Sequence, residues 1–447
     1  MELNLGTLPE NQRDPEQLFI ESRVEESIFQ NYMPKRGFIK EYLEFTKISE
    51  APGSFHFWNA MCVLSATLQR NLWLAKGIHR IYPNLYVVLV APSGKCRKTE
   101  SIRIGVDIAQ KIEGINVIAD KTTPEALLEA LMDGPLEVDI DEDLLGAGPS
   151  GGSTGANMKV DSTAFIRSTE MSTFLNKATY SSGMITLLTD LFDCPDEFIY
   201  RTRNKKPVML NNVSITMIAA TTSEWLATNL PEAAFEGGFM SRIIWVVKYW
   251  RDRVIPFEES PDPKHMAKLV KMLSYIEKHH NGSVQFDQHA KLWYTRWYEK
   301  NAMLSADNEK LSGFHERLPH TLIKVAMLLQ ASEEPGNLIL KQDYLIRAEK
   351  ILMWSLEKMF RAFESTELSR MGQLRRLLNS ILDHHGEVSQ RDMLRKVAGR
   401  LDYKGQFEDV RAIMEEADEI RVYKTTPGSK GGRPKIMWRR PLQSELR

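Results

Sequence analysis

Residues 85–104 read LYVVLVAPSGKCRKTESIRI. The apolar run Leu85–Val90 has the length and β-branched content of a fully buried strand. A turn of small and basic residues follows, Ala91-Pro92-Ser93-Gly94-Lys95-Cys96-Arg97-Lys98-Thr99, and Ile102, Ile104, Val106 and Ile108 then mark an amphipathic helix. Strand, small-residue turn and helix is the layout of a phosphate-binding loop. Backbone N–H groups and the helix N-terminus surround the phosphates, a lysine reaches the terminal ones, and a hydroxyl ligates Mg²⁺. The usual pattern, G-x-x-x-x-G-K-[ST], has glycine before the lysine, and here that place holds Arg97. Gly94-Lys95 is a decoy, because Cys96 follows it and a thiol does not serve a hard cation as a hydroxyl does. Lys98-Thr99 is therefore the working pair. The expected ATP-binding segment is Pro92, Ser93, Gly94, Lys95, Cys96, Arg97, Lys98 and Thr99, with Thr99 as the Mg²⁺ ligand; the alternative is an accidental strand–turn–helix.

A chain of 447 residues suggests about two to four domains. Its 43% hydrophobic and 26% charged content is that of a globular protein rather than a disordered one. With a net charge of −1, any nucleic-acid surface must be local. Three cysteines, Cys62, Cys96 and Cys194, point to a reducing compartment, and no Cys/His cluster has zinc-ligand spacing. The polar start MELNLGTLPENQRDPEQ lacks the apolar core of a signal peptide. No apolar stretch approaches the ~18–20 residues of a membrane span. A cytoplasmic protein without a membrane partner is expected.

Residues 1–45 read as an N-terminal helical arm, with the helical pattern of Phe38, Ile39, Tyr42 and Leu43 continuing to Leu74. Residues 46–260 hold the core, in which 84–250 alternate strands and helices as a parallel sheet with crossovers does. An acidic, Gly/Ser-rich insertion at 137–159 interrupts that order. Residues 261–365 read as an all-helical lid, and 366–447 as a separate unit of three helices (Leu374–Leu382, Gln390–Val397 capped by Ser389, Gln406–Glu416) and a β-hairpin. That is the order of a winged helix. Its wing, PGSKGGRPK, is basic through Lys430, Arg433 and Lys435, and Gly-Arg-Pro resembles a minor-groove element. The alternative is a protein-binding winged helix, since Gln406–Glu416 is net acidic, which argues against major-groove reading.

Hydrolysis needs a carboxylate to polarise water. Glu170, at the end of the apolar run Ala164–Ile166, is placed for that role, although Thr169 occupies the position where aspartate is usual. Asp190, Asp193 and Asp196 are fallback carboxylates. The strand Val213–Ala220 ends in Thr221-Thr222, either of which could sense a γ-phosphate or simply cap the strand. Phe198–Leu210 reads as a β-hairpin whose basic tip, Arg203, Lys205 and Lys206, either grips DNA phosphates or is a solvated turn. Arg242, after Gly237-Gly238 and before the strand Ile243–Val247, could act as an arginine finger toward a neighbouring subunit. Such fingers are worth ~10³–10⁵ in rate; the alternative is a local salt bridge. Arg317 or Lys324 on the lid helix could be a second sensor of nucleotide.

Five segments carry a family resemblance. They are Pro83–Tyr86, Pro92-Ser93-Gly94 with Arg97-Lys98-Thr99, Thr122–Leu127, Leu188–Asp193, and Gly237–Phe239 with Ser241-Arg242. Together they look like the P-loop proteins of bacteriophages and mobile elements grouped with replicative primase-helicases, over roughly residues 37–330. In that family Arg-Lys-[Ser/Thr] commonly replaces Gly-Lys-[Ser/Thr]. The order of parts is also similar to AAA+ helicases of the minichromosome-maintenance kind, although Thr169 departs from both patterns. The resemblance implies an α/β, P-loop NTPase (AAA+-like) core with a helical N-terminal region, a helical lid and a C-terminal winged helix. It further implies an ATP- and Mg²⁺-dependent DNA helicase, a ring-forming homo-hexamer acting in DNA replication on single-stranded or forked DNA. Its setting would be the host cytoplasm if phage-encoded, and its primase or polymerase a separate chain. The rival expectation is an initiator or helicase loader that uses ATP only as an assembly switch.

Overall fold

In a computed structural model the described residues are 14–119, 122–134, 161–171, 183–201, 207–223, 225–226, 238–257, 259–302, 309–398, 401, 405–416, 419–425 and 434–441. The chain divides into two compact units, Met1–Phe360 and Arg361–Arg447. The insertion 137–159, the hairpin-tip residues Arg203, Lys205 and Lys206, and the wing residues Lys430 and Arg433 lie outside the described residues.

The first unit is mixed α/β. Its centre is a parallel sheet of β1 (Tyr86–Val90), β2 (Val117–Ile118), β3 (Asp161–Ser168), β4 (Val208–Thr221) and β5 (Ile243–Val247). The order across it is β5-β1-β4-β3-β2, every pairing parallel. All five residues of β1 are buried, as a central parallel strand covered on both faces requires. An antiparallel strand, Glu197–Tyr200, pairs with the start of β4 in the register Phe198↔Leu210 and Tyr200↔Val208. The arms of the hairpin read from the sequence therefore pair as expected.

Helix Gly53–Leu68 is buried along its whole length, the behaviour of a helix that is apolar all round. It lies on the sheet through the Ser65 and Thr216 hydroxyls, 2.6 Å apart. On another side it meets helix Lys98–Ala109, where Asn59 Nδ2 donates to Ser101 Oγ at 2.7 Å. Gly105 permits that approach, since a Cβ there would stand 3.0 Å from Asn59 Oδ1 and 3.2 Å from the Tyr42 hydroxyl. Helices Pro15–Gln30, Gly37–Phe45, Pro263–His279 and Glu309–Glu333 complete this layer, and their apolar faces share one core with the sheet.

Two sequence expectations are corrected here. The helical pattern does not run to Leu74: it ends at Leu68, and Leu72–Lys76 is a strand paired with His79–Ile81. Residues 261–365 are not all helical either. Gly282–Phe286 pairs parallel with Leu72–Lys76, and Ile339–Leu340 pairs with Gly282–Phe286. These strands are two to five residues long, so partners remote in sequence, not local periodicity, decide their conformation.

A buried ion cluster ties the N-terminal helix to the sheet. Lys248, just past β5, is fully buried at its side chain and pairs with Glu25 at 3.0 Å and Glu26 at 3.4 Å. Lys358 also pairs with Glu25. Burial alone would lower the Lys248 pKa, but the two carboxylates outweigh it and raise it. Glu26 also accepts the Ser54 N–H at 2.9 Å, capping helix Gly53–Leu68.

The second unit has a three-stranded antiparallel sheet, Glu387–Ser389, Ile436–Arg439 and Arg421–Lys424 in that spatial order. The strand Glu387–Ser389 is an addition to the three helices and hairpin read from the sequence. Helices Gln390–Val397 and Gln406–Glu416, with Leu374, Leu378 and Leu382 of helix Gln342–His385, close a core on Trp438 and Phe407. These two rings stack at 5.2 Å. Ser389 caps its helix as expected, accepting the Asp392 N–H at 3.2 Å. Among the described residues of either unit, no helix is long and apolar enough to cross a membrane.

Candidate functional site

The register of the parallel sheet brings three chain segments to one edge. Val90 pairs with Thr221, and Ser168 pairs with Ala219, so Glu170, two residues past Ser168, falls level with Thr221. Segments leaving the carboxyl ends of parallel strands where the strand order reverses form the crevice in which α/β proteins bind ligands. Here that crevice is a cleft of about 580 Å³ lined by Ser93, Gly94, Arg97, Lys98, Thr99 and Glu100 from the loop, with Thr169, Glu170, Thr221, Thr222 and Trp225 opposite.

The loop is shaped by three local devices. Gly94 takes φ +72° with open space around it, a left-handed conformation that glycine adopts without penalty. Arg97 is also left-handed, at φ 48° and ψ 38°, and is the N-cap of helix Lys98–Ala109. That backbone is what glycine supplies in the usual pattern. Here Arg97 adopts it, with Nε donating to Glu50 Oε2 at 3.1 Å. Lys98 Nζ folds back on the loop, donating to the carbonyls of Ala91 at 2.5 Å and Pro92 at 3.2 Å.

The remaining loop residues face elsewhere. Lys95 stands over the Trp250 ring at 4.2 Å. Cys96 is fully buried, and burial pushes its thiol up to about 12. Neither residue lines the cleft, nor does Pro92. The expected decoy status of Gly94-Lys95-Cys96 has this physical form: the cysteine packs inward and the lysine is held by an aromatic face.

On the opposite wall Glu170 is exposed, and the Ser168 hydroxyl donates to its carbonyl at 3.1 Å. Thr222 Oγ1 accepts the Trp225 N–H at 3.2 Å, so this hydroxyl caps the next turn. Thr221 is buried, and its carbonyl accepts the Ala91 N–H at 3.3 Å, fastening the loop to β4.

Three sequence candidates are drawn to the other end of the sheet. Arg242 precedes Ile243, which pairs with Tyr86 at the start of β1. Its Nη2 lies 3.2 Å from Asp193 Oδ2, and its Nη1 donates to the Gly238 carbonyl at 3.0 Å. Arg317 Nη1 approaches the same Asp193 at 3.3 Å. Burial, and then the Arg242 charge, lower the Arg317 pKa. Lys324 is buried, donating to Asn84 Oδ1 at 2.6 Å with Nζ 4.0 Å from the Phe192 ring centroid. Burial lowers its pKa to about 8. Arg317 and Lys324 therefore do not enter this chain's own cleft, because helix Glu309–Glu333 meets the amino-terminal edge of the sheet. Asp193 and Asp196 are engaged there too, Asp196 by Arg70, and do not stand in for Glu170.

Sequence reasoning missed Glu50. Its carboxylate is 5% exposed and accepts from Arg97, from Arg251 Nη1 at 2.5 Å and from the Ile255 N–H at 3.0 Å. Burial opposes ionisation, but these donors outweigh it and hold the Glu50 pKa below the ordinary carboxylate value. No local pattern marks Glu50, since its partners lie 47 to 205 residues away. Trp225 was also missed; a lone tryptophan just after the apolar strand that ends at Thr221 was its one signal. Lys435, in the second unit, precedes the strand Ile436–Arg439, and its N–H donates to Thr425 Oγ1 at 3.0 Å. Among the described residues no cluster of His, Cys, Asp or Glu could hold a metal ion. No protein-family model and no curated protein matches this chain.

Proposed function

We propose that the first unit is a P-loop NTPase of the AAA+-like kind and that the chain is an ATP-dependent DNA helicase or translocase. The observation that carries the reading is the cleft itself: Lys98-Thr99, Glu170 and Thr221-Thr222, three segments far apart in sequence, line one crevice at the carboxyl edge of a parallel sheet. The strand order supports it, because β4 stands between the loop strand β1 and the glutamate strand β3, where a sensor strand is required. The loop N–H groups and the helix N-terminus would hold phosphates, with Lys98 on the terminal ones. Glu170 would polarise the attacking water, and Thr221 would report on the γ-phosphate, since Thr222 is occupied as a cap.

The donors fit a hard divalent cation, since Thr99, Thr169, Glu170 and Thr221 offer only oxygen. Thr99 would hold Mg²⁺, which supplies charge neutralisation on phosphate oxygens when bound. The lid assignment passes to helices Pro263–His279 through Glu309–Glu333, and the second unit is read as a winged helix with Lys430, Arg433 and Lys435 toward DNA. The hairpin tip at Arg203, Lys205 and Lys206 would contact DNA phosphates in a homo-hexameric ring, in cytoplasm, beside a separate primase or polymerase.

The test is ATP turnover and strand displacement on forked DNA by the wild-type chain and by Lys98→Ala. Loss of both activities in a variant with unchanged melting supports the reading, and full turnover by Lys98→Ala sinks it. A second reading, an ATP-switch initiator or loader, is favoured by Thr169, which faces the cleft where aspartate is usual. ATP binding without strand displacement would select it.

A further inference from the structure

Arg97 stands where phosphate-binding loops carry glycine, and its side chain is neither packed away nor swung out of the site. It lines the cleft with Lys98 and Thr99 and is 47% exposed. The left-handed backbone at φ 48° is strained for a residue with a Cβ. A side chain held on a strained backbone needs a reason, and its surroundings supply one.

Glu50 takes Arg97 by Nε alone. Among the described residues the two Nη nitrogens of Arg97 have no protein partner. Nε and the paired Nη atoms lie on different edges of a planar guanidinium. A carboxylate on the Nε edge therefore fixes the plane and leaves the opposite fork presented. Glu50 is suited to that task. Arg251 and the Ile255 N–H saturate it from behind, so it stays ionised and fixed whether or not the fork is engaged. Its neighbour Ser49 bonds Glu100, which also lines the cleft.

We propose that Arg97 is a phosphate ligand of the nucleotide, its fork aimed by Glu50, so that this loop replaces glycine's conformational freedom with a second cation beside Lys98. This rests on the nucleotide reading of the cleft and adds a residue to it. The bidentate geometry of arginine toward phosphate makes the interaction one that lysine does not reproduce. Glu50 is a positioning residue, acting only through Arg97.

The experiment measures binding of ATPγS and of ADP, each with Mg²⁺, to the full chain by titration calorimetry. The variants are Arg97→Gly, Arg97→Lys, Glu50→Gln, Glu50→Gln with Arg97→Gly, and Lys98→Ala, each with its melting temperature. Arg97→Gly and Arg97→Lys should both weaken ATPγS by about tenfold or more. Glu50→Gln should weaken it when Arg97 is present and have no effect when residue 97 is glycine. Tighter or equal binding by Arg97→Gly overturns the inference, because glycine would then only have relieved strain. Equal losses from Glu50→Gln in both backgrounds overturn the role of Glu50. Should Arg97→Gly fail to fold, Arg97→Lys and Glu50→Gln decide alone, and unchanged binding in both overturns it. Wild-type binding that Lys98→Ala abolishes and Arg97→Gly retains defeats this inference only. A wild-type chain that binds neither nucleotide defeats the nucleotide reading and this inference together.

Discussion

Arg242 Nη2 lies 3.2 Å from Asp193 Oδ2 at the amino-terminal edge of the sheet, while Lys98 belongs to the carboxyl-terminal edge. The register Tyr86↔Ile243 and Val90↔Val247 separates them by about the length of β1, roughly 15–20 Å at the rise of a strand. Arg242 is thus out of reach of the cleft at Lys98-Thr99 in its own chain. It is held with a second arginine, Arg317, on one carboxylate.

Arg242 is 9% exposed in this local ion pair; on the proposed reading of a ring-forming ATPase, Arg242→Ala should leave ATPγS binding by the dilute chain unchanged and abolish turnover at concentrations where rings form. Mixing it with Glu170→Gln should restore part of the turnover, because each variant supplies what the other lacks at a shared site. Turnover assays across mixing ratios check this; a flat zero at every ratio counts against a finger acting between subunits.

Lys248 is the centre of a buried charge cluster with Glu25 and Glu26. Lys248→Ala leaves Glu26, itself buried, without its ion-pair partner, while Glu25 keeps Lys358. Breaking one side of a buried pair costs about 3–5 kcal/mol, and urea denaturation should read a loss in that range. Adding Glu26→Gln to the alanine variant should recover part of it.

Two buried histidines set a pH response. Burial lowers His56 to about 3 and His280 to about 4, against ~6.5 in the unfolded chain. The folded state therefore refuses protons that the unfolded state accepts, so stability falls as pH drops below ~6.5 and continues falling toward pH 4. Each histidine should contribute about 2 kcal/mol of that loss by pH 5. Denaturation at pH 7 and pH 5 measures it, and His280→Gln should shrink the difference by its share.

The proposed DNA-binding wing makes a prediction about salt. Replacing Lys430, Arg433 and Lys435 by alanine should weaken DNA binding similarly for all sequences. It should also reduce the slope of log affinity against log salt by up to about 3, near one for each phosphate no longer neutralised. An unchanged slope in fluorescence anisotropy would move the wing from DNA to a protein partner.

Much of the site was legible locally. The apolar run Leu85–Val90 and the turn closing on Lys98-Thr99 announce strand, loop and helix through their own residues, and Glu170 and Thr221-Thr222 stand out because each ends an apolar strand. Short strands were not legible. Leu72–Lys76 and Ile339–Leu340 take their conformation from Gly282–Phe286, more than 50 residues from either, and the helical pattern around them misleads.

The sequence by itself determined that a phosphate-loop pattern exists, that a parallel α/β core surrounds it, and that a small helix-and-hairpin unit follows. Those follow from periodicity, turn chemistry and burial, all encoded within windows of a few residues. Only the tertiary structure decided which candidates meet. It placed Thr221 level with Glu170, drew Arg242, Arg317 and Lys324 to the far edge, and set Glu50 behind Arg97. Strand order and register fix such distances, and neither can be read from residues that are neighbours in the chain.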